Sequence, residues 1–220
     1  MTDAVVLVVA KAPVAGLAKT RLAPAFGART AARLAAAALL DTVDSARSVP
    51  DAYPVVAMTG SLAAAERSAE LAAALRDCTV FEQHGDGFGD RLANAHAEVA
   101  ARFPGLPVVQ IGMDTPQVRP PMLTGALARL RESDAALGPA LDGGWWGLGL
   151  RDPLAARVLR EVPMSMADTG QRTLFALRAL GLRVCHLPTL SDVDTAADAE
   201  LVAALAPSGR FAHAFAEASR

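Results

Sequence analysis

The 220-residue sequence predicts an α/β fold built on a mostly parallel central sheet. Short apolar runs of strand length alternate with longer, Ala-rich amphipathic stretches, the pattern of parallel strands joined by crossover helices. The first such run, Ala4–Ala10, is apolar at every position and reads as a buried strand. With 52% hydrophobic residues the chain can cover such a sheet with a full core, and no linker divides it, so one domain over residues 1–220 is expected.

Further strands are predicted near Pro54–Met58, Thr79–Phe81, Pro107–Ile111 and Ala135–Leu137, with helices near Thr30–Ser48, Leu62–Arg76, Gly89–Phe103 and Pro120–Glu132. The regularity changes after Ala140. There Asp142-Gly143-Gly144 introduces Trp145–Leu150, too Gly-rich and aromatic for a helix and read as a strand, with an antiparallel course open to it. Amphipathic stretches at Leu154–Arg160 and Gln171–Leu180 lead to an apolar run at Leu182–Leu187. Ser191-Asp192-Val193-Asp194-Thr195 then opens a helix, with Asp194 or Thr195 as its N-cap. The last fifteen residues predict a surface helix with a frayed end.

A net charge of −2 leaves no broad basic face, which excludes a nucleic-acid scaffold. The N-terminal apolar run follows Asp3 and is too short for a membrane span, and no positive segment makes it a signal peptide. Cys78 and Cys185 lack CxxC or Cys/His ligand spacing and are expected as buried reduced thiols, so the protein is expected to be cytosolic.

The positive charge that does stand out is local. Lysine occurs only at Lys11 and Lys19, whereas the other nineteen of the 21 basic residues are arginine. In such a composition Lys is retained where a compact, mobile ammonium differs from the planar guanidinium. With Arg21, three cations share the loop KAPVAGLAKTRLAP, in which Gly16 permits close backbone approach, a combination suited to a polyphosphate. The loop contains neither GxxxxGK[ST] nor GxGxxG, so P-loop and dinucleotide-binding chemistry are set aside.

In an open parallel sheet, ligands sit beyond the carboxyl ends of the strands. The loops there carry the remaining candidates. Asp114, in Gly112-Met113-Asp114-Thr115-Pro116, is placed to hold a hard cation such as Mg²⁺, with an Asx-turn as the alternative; Asp142, Asp192 and Asp194 are candidates for a second carboxylate ligand. Gly85 and Gly87, in GDGFGDR, can wrap a ligand at a helix N-terminus, and one of Trp145 and Trp146 can line a pocket while the other packs. None of the four histidines has ligand spacing.

Taken together, KAPVAGLAKTRLAP, GDGFGDRL, GMDTP and DGGWWGLGL resemble the motifs of the DUF2064 family. This family is also called the radical-SAM/selenodomain-associated transferase 1 or arsenosugar-biosynthesis glycosyltransferase-like family, within the GT-A nucleotide-diphospho-sugar transferase fold. KTRLAP and DVDTAAD are also similar to stretches of phospholactate guanylyltransferases, and VDT to the metal-binding stretch of sugar-acid cytidylyltransferases. The resemblance implies a three-layer sandwich with helices on both sheet faces. It implies Lys11, Lys19 and Arg21 on donor phosphates, Asp114 and Asp194 on Mg²⁺ (or Mn²⁺), and Asp142 and Gly143 facing the acceptor or sugar. Where relatives carry a Trp-Ser-Thr-like stretch, this chain has Met164-Ser165-Met166. The implied reaction is Mg²⁺-dependent transfer from a nucleotide donor to a small-molecule acceptor. Glycosyl transfer from an NDP-sugar ranks first, nucleotidyl transfer from an NTP with pyrophosphate release second, and a noncatalytic nucleotide-sensing module third.

Overall fold

The computed structural model describes residues 4–220, so Asp3 lies outside the described residues. Seven strands, β1 (Ala4–Lys11), β2 (Ala52–Thr59), β3 (Thr79–Glu82), β4 (Val108–Gly112), β5 (Ala135–Pro139), β6 (Trp145–Leu150) and β7 (Val184–His186), form one sheet in the order β3-β2-β1-β4-β6-β5-β7. Strand β1 pairs in parallel with β2 and β4, and β2 with β3. The exception is β6, antiparallel to both of its neighbours, with Leu148 opposite Gln110 on one side and Leu137 on the other. The short connection through Asp142–Gly144 dictates this course, since parallel strands need a long crossover. In that turn the Gly144 N–H donates to the Asp142 carboxylate at 2.8 Å, and Gly143 takes a φ of +88°.

Alternation along the strands builds two cores. Val6, Val8 and Ala10 of β1 face helices α2 (Ala28–Arg47), α3 (Ser68–Ala74) and α5 (Pro120–Arg129), which supply Leu39, Leu71 and Leu123. Val5, Leu7 and Val9 face the other way, towards α4 (Phe88–Arg102), a 3₁₀ helix at Pro153–Glu161, and α6 (Thr169–Ala179). The result is the expected three-layer sandwich. A third cluster sets the outer face of α2, with short α1 (Ala23–Phe26) beside it, against α7 (Ala196–Leu205) and α8 (Arg210–Ala218).

Four expectations need correction. Leu62–Arg76 is a 3₁₀ turn at Leu62–Ala64, then α3, then a second 3₁₀ turn at Leu75–Asp77, with Arg67 at a φ of +55°. The helix fails to form throughout because Glu66 is drawn elsewhere. Its N–H donates to the Pro13 carbonyl at 2.9 Å, and its carboxylate takes the guanidinium N–H groups of Arg29 and Arg33. Leu154–Arg160 is 3₁₀ rather than α-helical, and its Leu159 carbonyl lies where a Cβ on Gly89 would stand. The C-terminal α8 is docked, not merely laid on the surface: Phe211 is buried, and the buried Asp41 carboxylate accepts the N–H groups of Arg210 and Phe211 at 3.0 and 2.9 Å. Both cysteines are free but only half-buried, with burial pushing the Cys78 thiol up to about 11. Among the described residues no helix is long and apolar enough to cross a membrane.

Candidate active site

The loops beyond the strand ends enclose a cavity of about 1020 Å³. The chain enters it at Lys11, which closes β1 opposite Thr59. Successive turns through Ala12–Leu22 then fold the basic loop back across the opening, with Leu17 and Ala18 donating to the Val14 carbonyl and Leu22 to that of Lys19. Lys19 itself has a φ of +48°, a left-handed conformation that costs a residue with a Cβ roughly 1–2 kcal/mol. That conformation accompanies an ammonium turned inward, 2.8 Å from Asp114 Oδ2. Burial opposes the charge on Lys19, but attraction to and a hydrogen bond with Asp114, reinforced by Asp192 and Asp194, hold its pKa above the ordinary lysine value.

Asp114 follows β4, and the fold stitches a distant acidic segment to it. The Val193 N–H donates to the Asp114 carbonyl at 2.9 Å, and the Gln117 amide donates to the Ser191 carbonyl. Thr195, not Asp194, caps α7, in a reciprocal box with Asp198. The Asp194 carboxylate is therefore left for Arg21, whose guanidinium donates to it. Four carboxylates, Asp114, Asp142, Asp192 and Asp194, thus line one cavity. Asp192 registers the crowding: burial first, then repulsion from Asp114 and Asp142, pushes its carboxyl up to about 6.

Of the residues singled out in the sequence, Lys11, Lys19, Arg21, Asp114, Asp142 and Asp194 all line this cavity, whereas Gly16, Gly85, Gly87 and Gly143 do not. The glycines shape the loops instead. Gly87 is the N-cap of α4, and Gly143 packs so tightly that an added Cβ would fall 1.8 Å from the Ala167 carbonyl oxygen. Trp145 and Trp146 point to opposite faces, yet both reach the cavity lining. Their indole N–H groups are fixed on Thr173 and on the Pro188 carbonyl.

Sequence reasoning set Asp192 behind Asp194 and passed over Phe88, Arg91 and Gln110, all of which line the cavity. A signal for Gln110 was present, since it is the polar residue inside the apolar run VVQIG.

Residues 42–166, more than half of the chain, match the family described as an uncharacterized protein conserved in bacteria, DUF2064. The chain belongs to the DUF2064 family. It is similar to the phosphoenolpyruvate guanylyltransferase of Mycobacterium leprae (strain Br4923), at 32% identity over 114 residues, or 52% of each chain. It therefore spans about half the length of the curated relatives it matches. Among solved structures it is similar to a Desulfovibrio desulfuricans G20 protein described provisionally as a nucleotide-diphospho-sugar transferase. That match has 27% identity and a TM-score of 0.84 and covers 98% of this chain and 94% of that one. The same fold recurs in CMP:2-keto-3-deoxy-manno-octonic acid synthetase complexed with CTP, at 15% identity and a TM-score of 0.59, over 92% of this chain and 98% of that one.

Proposed function

We propose that this protein is a divalent-metal-dependent nucleotidyltransferase that moves a nucleoside monophosphate from an NTP to a small-molecule acceptor, releasing pyrophosphate. One observation carries the reading: Lys11, at the end of β1, and Lys19 and Arg21, on the loop that follows, share a cavity with Asp114, Asp142, Asp192 and Asp194. A triphosphate presents more charge than the diphosphate of a sugar donor, and three cations in one cavity suit the more highly charged donor. The likeness to guanylyltransferases supports the same choice and reverses the ranking drawn from sequence. Glycosyl transfer from an NDP-sugar is the second reading, favoured by the near full-length similarity to the D. desulfuricans protein.

The carboxylates fit a hard cation such as Mg²⁺ or Mn²⁺. They are oxygen donors crowded enough to raise one carboxyl to about 6. Among the described residues no three of them gather closely enough to hold an ion unaided. This suits an ion that takes one or two protein oxygens, from Asp114 and Asp192 or Asp194, and completes its shell with phosphate and water. When bound, the ion supplies charge neutralisation on the phosphates. Lys19 and Arg21, once turned from their carboxylates, bind the phosphate oxygens, hold the donor in line for attack and stabilise the charge that gathers on departing pyrophosphate.

Isothermal titration of NTPs and NDP-sugars, with and without Mg²⁺, tests this. Mg²⁺-dependent binding of one NTP in preference to every NDP-sugar is expected. The opposite preference selects glycosyl transfer, and binding of neither class removes both readings. A noncatalytic sensing module differs from both in binding nucleotide while turning over none of it with any acceptor.

A further inference from the structure

The part of the cavity beneath α4 has a chemistry of its own. Its walls are Val9, Trp145 and Met164, from the core on that sheet face, with Phe88 and Arg91 from the first turn of α4 and Gln110 from β4. The carboxylates that line the cavity come from the loops after β4, β5 and β7, and none of these six residues is acidic.

Two hydrogen-bond donors there lack a protein acceptor among the described residues. Arg91 is half-buried and makes no ion pair among the described residues; its guanidinium lies 5.7 Å from the centre of the Phe88 ring. It stands at the positive end of a helix that no side chain caps, where a cation gains nothing from the helix dipole.

Gln110 is 2% exposed, and its Oε1 lies 2.9 Å from His96 Nε2. His96 is fully buried, and burial lowers its pKa to about 4, so the ring is neutral at physiological pH. Nδ1 has no partner among the described residues, and a bare ring nitrogen is cheaper to leave buried than an N–H. The proton therefore sits on Nε2 and is donated to Gln110 Oε1. This directs the Gln110 amide NH₂ into the cavity that the residue lines, where it has no protein acceptor among the described residues.

We propose that this recess is an acceptor subsite in which a carboxylate or phosphate of the acceptor is bound by Arg91 and the Gln110 amide while the acceptor's apolar body packs on Phe88, Trp145 and Met164. Phe88 is 45% exposed and so has apolar surface left for that body. Assignment to the acceptor rests on the nucleotidyltransferase reading, which places the donor phosphates at the basic loop. His96 is a positioning residue: it fixes the Gln110 amide and does not itself face the substrate.

Phenyl phosphate, which combines an apolar body with an anion, is the probe, with inorganic phosphate and benzyl alcohol as single-feature controls. Calorimetric titration compares the native protein with Arg91→Gln and with the double variant His96→Leu/Gln110→Leu, which removes both halves of the buried pair and orphans neither. The native protein is expected to bind phenyl phosphate more tightly than either control. Each variant is expected to lose roughly tenfold, the scale of one charge-assisted hydrogen bond. Phenyl phosphate should still bind with GTP and Mg²⁺ at saturation, and Arg91→Gln should keep native GTP affinity. Native-like phenyl phosphate binding by a folded Arg91→Gln overturns the subsite. Displacement of phenyl phosphate by GTP, with parallel loss of GTP affinity in Arg91→Gln, overturns it too and assigns the anion to the nucleotide. If the native protein binds no NTP, the nucleotidyltransferase reading falls separately, and the phenyl phosphate titrations still decide whether Arg91 and Gln110 hold an anion.

Discussion

Asp192 is a residue whose ionised form the folded chain resists. Its folded pKa of about 6 stands above the ordinary aspartate value of 3.8, because burial, and then Asp114 and Asp142, disfavour the charge. A raised carboxyl pKa means that the folded state holds the proton more tightly. The resulting contribution is fully present below about pH 4 and is lost as pH rises through 6. At neutral pH Asp192 is thus a destabilising anion, and Asp192→Asn is predicted to stabilise the ligand-free protein at pH 7.5. After discounting for solvent screening, the gain is up to about 2 kcal/mol. Melting curves at pH 7.5 and pH 4 check this, with the gain expected to vanish at the lower pH. The same variant should weaken Mg²⁺-dependent nucleotide binding, since the repulsion it relieves is what a cation would otherwise neutralise.

At the scale of elements, two short devices hold the acidic loops in place, and each can be removed. Thr195→Ala breaks the capping box of α7 and is predicted to cost about 1 kcal/mol in chemical denaturation, with nucleotide affinity falling because Asp192 and Asp194 precede that cap directly. Gly143→Ala should cost more, upwards of about 2 kcal/mol. It places a Cβ against the Ala167 carbonyl at a φ of +88°, and it strains the hydrogen bond by which Gly170 N–H holds the Gly143 carbonyl. Retention of native stability by Gly143→Ala would mean that the 167–170 segment moves freely away from the turn. These elements also show where sequence reasoning works. Strands β1, β2 and β4 and helices α2 and α4 were legible to within two residues, because each carries its own apolar period. Leu62–Arg76 was not, because the break at Glu66 is made by Arg29 and Arg33, more than 30 residues away in sequence. The site divides in the same way. The basic loop and Asp114 stand out as local motifs, whereas the recess under α4 exists only once β4 and β6 pair and bring Gln110 and Trp145 to the lining of one cavity.

At the scale of the whole molecule, the sheet order places the loops after β1, β4, β5 and β7 along one edge, so charges up to 175 residues apart in sequence attract one another. Lys19 is held by Asp114 and Arg21 by Asp194. A divalent cation entering this cluster must displace an ammonium from Asp114, and a phosphate entering it must draw the same ammonium away from a carboxylate. Each ligand alone therefore meets an opposing ion pair. Together they exchange partners, with metal to carboxylates and phosphates to Lys19 and Arg21, and no charge is stranded. This predicts positive and reciprocal coupling between Mg²⁺ and nucleotide, on the order of tenfold or more, the usual range for linked sites. Titration of Mn²⁺ with and without GTP measures it. Lys19→Met, which empties the Asp114 position, should strengthen binding of Mn²⁺ alone while weakening GTP and collapsing the coupling. If Lys19→Met left the affinity for Mn²⁺ alone unchanged, Asp114 would not be a ligand for the ion, and the metal would have to be placed on the other carboxylates.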